Sequence, residues 1–176
     1  NYRRFCAAVG VTVESTVFTQ QTHSENIRLV TEQDAGKGLL RPRDYTEVDA
    51  LITDTPGLSL VVFSADCGTI LLYDPVHRAI GAVHAGWRGV AAGLASKTVL
   101  KMHDTFGTEP GDLLCALGPA IGPCCFETDD DVPAAMHDAL GAQADPFLTR
   151  RGAKWHIDLK AINAHWLESL GVRHID

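Results

Sequence analysis

TILLYDPVHRAIGAVHAGWRG, residues 69–89, decides how this chain folds. Two apolar runs, 69–74 and 79–84, flank Asp74 and Pro75, a combination that favours a turn. Short apolar runs bounded by Gly, Pro and Asp read as buried strands, so the stretch predicts a hairpin that runs out to the turn and back. A helical pattern follows at once. Residues 88–105 are rich in Ala and Leu, put Val90, Leu94, Ala95 and Thr98 near one face, and meet Gly107 where a C-cap belongs. A hairpin feeding a helix indicates sheet and helix layered against each other.

Further strands are expected at 12–18, 48–53, 58–65 and 112–118, paired along the chain through tight turns. A helix over 129–141 opens on acidic residues suited to the positive end of its dipole, carries Pro133 early and stops at Gly141. Another over 158–171 has Asp158 as N-cap and spaces Ile162, Trp166, Leu167 and Leu170 helically. Residues 32–48, rich in Gly, Pro and charge, predict a mobile loop. The expected architecture is α/β (α+β): one domain over residues 1–176, a layered mixed sheet with flanking helices.

At 176 residues and 45% hydrophobic, the chain can bury one proper core. Its net charge of -7 is spread without a basic cluster, which argues against nucleic acid and for small-molecule partners. No apolar segment approaches the roughly 20 residues of a membrane span, and NYRRFCAAVG lacks the apolar core of a signal peptide, so no membrane association and a cytoplasmic location are expected. Five cysteines make a disulfide framework improbable and free thiols the expectation. Adjacent Cys124 and Cys125 are expected to be structural, buried as small hydrophobes and pointing apart.

No phosphate-binding glycine loop and no GxSxG serine elbow is present. What remains is His23 in QQTHSEN, Cys67 in SADCGT and His84 in AVHAGW. From Cys67 to His84 is 84 minus 67, or 17 residues, one strand out and one back, which returns the second side chain to the first. Two histidines and a thiolate suit a catalytic zinc site with an open position, where bound water titrates near 7. The same residues also fit a metal-free hydrolase, with Cys67 as nucleophile, His84 as base and Asp66 or another carboxylate orienting it, although Asp66 would point to the opposite side of an extended strand from Cys67. A lone histidine at a strand end is more often a satisfied polar residue than a ligand, and spacing leaves these readings open. Arg88 near the start of the expected helix is a candidate anion holder, with Gly86 and Gly89 allowing close backbone approach. Trp87 reads as core or cleft wall, and the loop LGPAIGPCCFE (117–127) as a site wall or a tight connection.

In this order, QTHS, DALIT, SADC, AVHAGWRG and LGPAIGPCCFE resemble the family variously called laccase-domain proteins, polyphenol-oxidase-like proteins, peptidoglycan-editing factors and zinc-type purine nucleoside phosphorylases. The resemblance runs over about residues 1–176. It implies zinc ligands at His23, Cys67 and His84, and an enzyme, transferase and hydrolase, that phosphorolyses adenosine, inosine, guanosine and methylthioadenosine and deaminates adenosine. Purine nucleoside and phosphate are the implied partners, and the implied fold resembles that of cysteine-hydrolase toxins. Against the family pattern, the extreme N- and C-terminal segments are expected to be missing, and Gly68 and Thr69 stand where an apolar residue and proline are usual. A multicopper centre needs His-x-His pairs, of which there are none, so Cu2+ is expected only as a single-ion alternative to Zn2+ and oxidase activity as secondary. A single-copper polyphenol oxidoreductase and a non-catalytic cell-wall editing or regulatory protein are the remaining alternatives.

Overall fold

A computed structural model describes residues 1–176. Helix α1 (Tyr2–Ala8) precedes β1 (Thr16–Phe18), β2 (Ile27–Leu29), β3 (Ala50–Thr53) and β4 (Ser59–Val61), and then the hairpin of β5 (Gly68–Asp74) and β6 (Ala79–Ala85). Helices α2 (Trp87–Ala91) and α3 (Leu94–Phe106) follow, then β7 (Leu114–Leu117), β8 (Glu127–Thr128) and α4 (Asp131–Leu140). The chain closes with β9 (Leu148–Arg151), β10 (Lys154–Ile157), α5 (Leu159–Ser169) and β11 (His174–Ile175). No helix is long and apolar enough to cross a membrane.

Six strands form the central mixed sheet in the order β11-β7-β5-β6-β3-β2. The β5–β6 hairpin pairs along its whole length, from Gly68 opposite Ala85 to Asp74 opposite Ala79, as the sequence predicts. Other consecutive strands pair through a short connection only at β9 and β10, while β2 and β3 pair in parallel across a long one. The remaining expectation is corrected: β4 leaves to join β1 in a separate parallel ribbon, which lets β3 lie antiparallel against β6. The outer strands β2 and β11 run parallel to their neighbours.

Side chains alternate across a strand, so each face of the sheet has its own set. Ile70, Leu72, Val83, Ala85, Ala50 and Ile52 share a buried core with Leu94, Val99 and Met102 of α3 and with Ile162 and Leu167 of α5. Fully burying each Val, Leu, Ile or Met side chain among them contributes about 1.5–3 kcal/mol. Gly81 sits on this face because a Cβ there would lie 3.2 Å from both Met102 Sδ and Leu72 Cδ1. On the opposite face Leu51 packs with Val17, Val30 and Val48 beside the β1–β4 ribbon. Thr69 and His84 pair across the hairpin on that second face.

The helix expected over 88–105 is divided. Gly93 adopts φ 68° and ψ 35° between α2 and α3, and its left-handed turn redirects the chain so that α3 lies along the sheet. Gly107 ends α3 at φ 79° as expected, and Asp158 caps α5 by accepting from the Ala161 N–H. Residues 32–48 are tied down, contrary to the mobile loop expected: Lys37 Nζ donates to Asp34 at 2.7 Å and to Asp44 at 2.8 Å. Cys6 and Cys115 are buried, whereas Cys124 and Cys125 are exposed, which corrects their reading as core residues.

Candidate metal centre

His23 lies in the loop between β1 and β2, Cys67 immediately before β5, and His84 near the end of β6. One potential ligand atom from each falls within 4.8 Å of the others. Cys67 Sγ is 3.6 Å from His23 Nε2, and the two imidazole rings stand 5.1 Å apart at 68°. The hairpin explains part of this convergence: its register sets Gly68 opposite Ala85 and Thr69 opposite His84, so the start of β5 meets the end of β6. His84 is buried, Cys67 half-buried and His23 exposed, giving a centre rooted in the sheet and open to solvent on one side.

Behind these three residues stands Asp49, which sequence reasoning did not single out. It heads β3 and is fully buried. Its Oδ1 accepts from His84 Nδ1 at 2.7 Å and from the His23 N–H at 3.1 Å. Its Oδ2 accepts from the N–H groups of Thr22 and Ser24 at 3.0 and 2.9 Å, and from Ser24 Oγ. One carboxylate thus orients one histidine and holds the loop carrying the other. His23 needs that support, because its φ of 63° is left-handed and costly for a residue with a Cβ. Burial pushes the Asp49 carboxyl up, but the bonds from Thr22, His84 and Ser24 outweigh it and keep the group below the usual carboxylate range. The available signal was a lone carboxylate heading the apolar run of VDALIT, one step beyond the pairing of Ala50 with Val83.

With Nδ1 committed to Asp49, His84 has Nε2 left as the nitrogen that could hold a metal, the arrangement that metal-binding histidines favour. Gly86 provides room: a Cβ there would come within 2.4 Å of His23 Cδ2 and 3.1 Å of Cys67 Sγ. The close approach made at Gly86 is therefore by the side chains of His23 and Cys67. Burial, then the nearby charges of Asp66 and Asp49, push the Cys67 thiol up. A bound cation reverses that balance, since it stabilises thiolate directly. The donor set, its spacing and its buried carboxylate all fit a metal ion. The metal-free arrangement keeps an orienting carboxylate, Asp49 on His84, but the imidazole in contact with Cys67 Sγ is that of His23 and not His84.

Arg88 is exposed, with its guanidinium 4.2 Å from the centre of the Trp87 ring, and Trp87 itself packs partly into the core. Arg88 borders a polar depression shared with His23, Ser24, Glu25 and Asn26, where Glu25 pairs with Lys97. The helix behind Arg88 is only the short α2, because of the break at Gly93. On another side, the 117–127 loop fastens to the segment carrying Cys67: the Gly118 N–H donates to Thr69 O and the Ile121 N–H to Asp66 O, both at 2.8 Å.

Compared with known families, residues 1–176 match the one described as Multi-copper polyphenol oxidoreductase laccase. The chain is 34% identical over 177 residues to purine nucleoside phosphorylase YlmD of Geobacillus stearothermophilus, covering 98% of this chain and 64% of that protein. It is 31% identical over 175 residues to purine nucleoside phosphorylase YfiH of Escherichia coli, covering 99% and 66%. Among solved structures, Bacillus licheniformis hypothetical protein YfiH superposes with a TM-score of 0.92 at 31% identity, covering 99% of this chain and 67% of that one. YlmD from G. stearothermophilus superposes with a TM-score of 0.89 at 34% identity, covering 98% and 66%. The chain thus spans 64% of the length of the Geobacillus protein to which it aligns.

Proposed function

We propose, from the premise that this chain belongs to the Multi-copper polyphenol oxidoreductase laccase family, that it is a zinc-dependent purine nucleoside phosphorylase with His23, Cys67 and His84 as its metal ligands. The observation that carries this reading is the convergence of those three donors within 4.8 Å. The names of its relatives from Geobacillus and Escherichia coli support the reaction class. Zinc, when bound, supplies Lewis-acid polarisation and lowers the pKa of a bound water to about 7.

The rest of the task falls to the chain. Asp49 fixes the tautomer and orientation of His84 and the path of the His23 loop, so the donors are set before any ligand arrives. Arg88 is the candidate holder of phosphate, its fork-shaped donors suiting an oxyanion and its stacking on Trp87 limiting their freedom. Phosphate held there beside the ribose would stabilise the positive charge that develops as the base leaves. Adenosine, inosine, guanosine and methylthioadenosine are the proposed substrates, adenosine deamination is a proposed second activity, and the cytoplasm is the proposed site of action.

The test joins metal analysis to turnover. One zinc per chain is expected, with hypoxanthine released from inosine only when phosphate is present. Deamination would appear as inosine formed from adenosine. Turnover of inosine without phosphate would refute the phosphorylase reading, and a Cys67→Ala protein that kept both its zinc and its turnover would refute the ligand assignment. Copper in place of zinc would overturn the choice of metal.

A further inference from the structure

The vicinal pair Cys124–Cys125 lies outside the metal centre, and its geometry is unlike that of buried structural cysteines. Both residues are exposed, and their sulfurs stand 3.0 Å apart on one side of the loop. The backbone around them is closely held. Cys125 and Phe126 N–H groups both donate to Gly122 O at 3.0 Å, and His156 Nδ1 donates to Pro123 O at 2.8 Å. Two thiols so presented need a movement of only about 1 Å to reach the 2.03–2.05 Å of a disulfide.

We propose that Cys124 and Cys125 form a reversible dithiol–disulfide site, oxidised by small hydroperoxides and reduced again by thiols. A thiolate of the pair attacks the peroxide oxygen, giving a sulfenic acid and releasing an alcohol or, from hydrogen peroxide, water. The second sulfur then attacks the sulfenic sulfur, forming the S–S bond and expelling water. The two thiols together lose two electrons and two protons, and the peroxide gains them. Adjacent Cα atoms are about 3.8 Å apart across a trans peptide, below the 4.4–6.8 Å usual for disulfides, so the closed ring is strained and easily reduced. Such a bond is suited to switching, since strained exposed disulfides are the labile ones. The loop that carries the pair is tied through the Ile121 N–H to the backbone carbonyl of Asp66, next to Cys67.

The test uses the full chain, reduced and then treated with hydrogen peroxide, followed by alkylation and peptide mapping. The peptide spanning residues 118–127 is expected to lose two hydrogens and to escape alkylation. Phenylarsine oxide, which chelates paired thiols, should bind one per chain before oxidation, none after it, and one again after dithiothreitol. In a Cys125→Ser protein the arsenical should no longer bind, and peroxide should leave a Cys124 sulfenic acid trappable by dimedone. Full alkylation of both residues after peroxide, or a disulfide joining either to Cys6, Cys67 or Cys115, would overturn the proposal.

Discussion

Asp49 is one buried side chain with five hydrogen bonds, four to the loop around His23 and one to His84. In Asp49→Asn the amide must present an NH2 to backbone donors that need an acceptor, so the His23 loop loosens while His84 can keep its partner. Zinc affinity is expected to fall about 10–100-fold, as when other metal-orienting partners are removed, with stability lowered by about 1–3 kcal/mol. Chelator competition on protein shown by circular dichroism to be folded measures the first, and urea unfolding the second. Gly86→Ala makes a different demand, because its new Cβ would overlap His23 at 2.4 Å. His23 must swing away, and zinc binding is expected to weaken while the core-dependent unfolding midpoint changes little; an unchanged affinity would show that His23 is not held there as a ligand. Cys67 and His84 were legible in the sequence as donors at the ends of apolar runs, and His23 as a further donor in a loop that the family resemblance joined to them. Asp49 was not, because nothing in VDALIT indicates which strand β3 will lie against.

At the scale of elements, local signals located the hairpin and the ends of the larger helices. Asp74 and Pro75 mark the turn between β5 and β6, and Gly107 and Asp158 mark helix ends, since turns and caps depend on residues a few positions apart. The break at Gly93 was missed because Ala- and Leu-rich sequence continues on both sides of it. Its left-handed backbone is expected to resist a side chain even though a Cβ would meet the Trp166 ring at an ordinary 3.6 Å. Gly93→Ala should cost about 1 kcal/mol, a strain of 1–2 kcal/mol partly offset by a stiffer unfolded chain, and denaturant unfolding measures it. Strands β2 and β8–β11 have two to four residues each and no apolar alternation of length enough to read. They form because neighbours in space offer hydrogen-bond partners.

Across the whole molecule, the three buried carboxylates Asp34, Asp49 and Asp74 are each held below the ordinary value of 3.8. In each case burial opposes ionisation and is outweighed by hydrogen bonding, from Lys37, Thr31 and Arg28 at Asp34 and from Thr108 and then His77 and Val76 at Asp74. The unfolded chain therefore takes up protons first on acidification. Stability present above about pH 4 is expected to fall as pH drops through the folded-state values, with little change from these groups between pH 5 and 8. Urea unfolding with the metal chelated, followed from pH 7 to pH 3, checks this; a free energy constant down to pH 3 would contradict it. Only Asp49 owes this acid sensitivity wholly to the assembled fold, its partners lying 25 to 35 residues away; Asp34 bonds Arg28, Thr31 and Lys37, and Asp74 bonds Val76 and His77, within their own stretches of chain.

The sequence by itself determined a sheet-and-helix domain, its central hairpin, three candidate ligands and a family resemblance, because these rest on periodicity, turn chemistry and residue type within short segments. Only the tertiary structure decided that β3 lies against β6, which brings Asp49 to His84 across 35 residues. It also decided that the sulfurs of Cys124 and Cys125 face one another at the surface. Register and exposure are settled by the packing of distant elements, and no short stretch of residues encodes them alone.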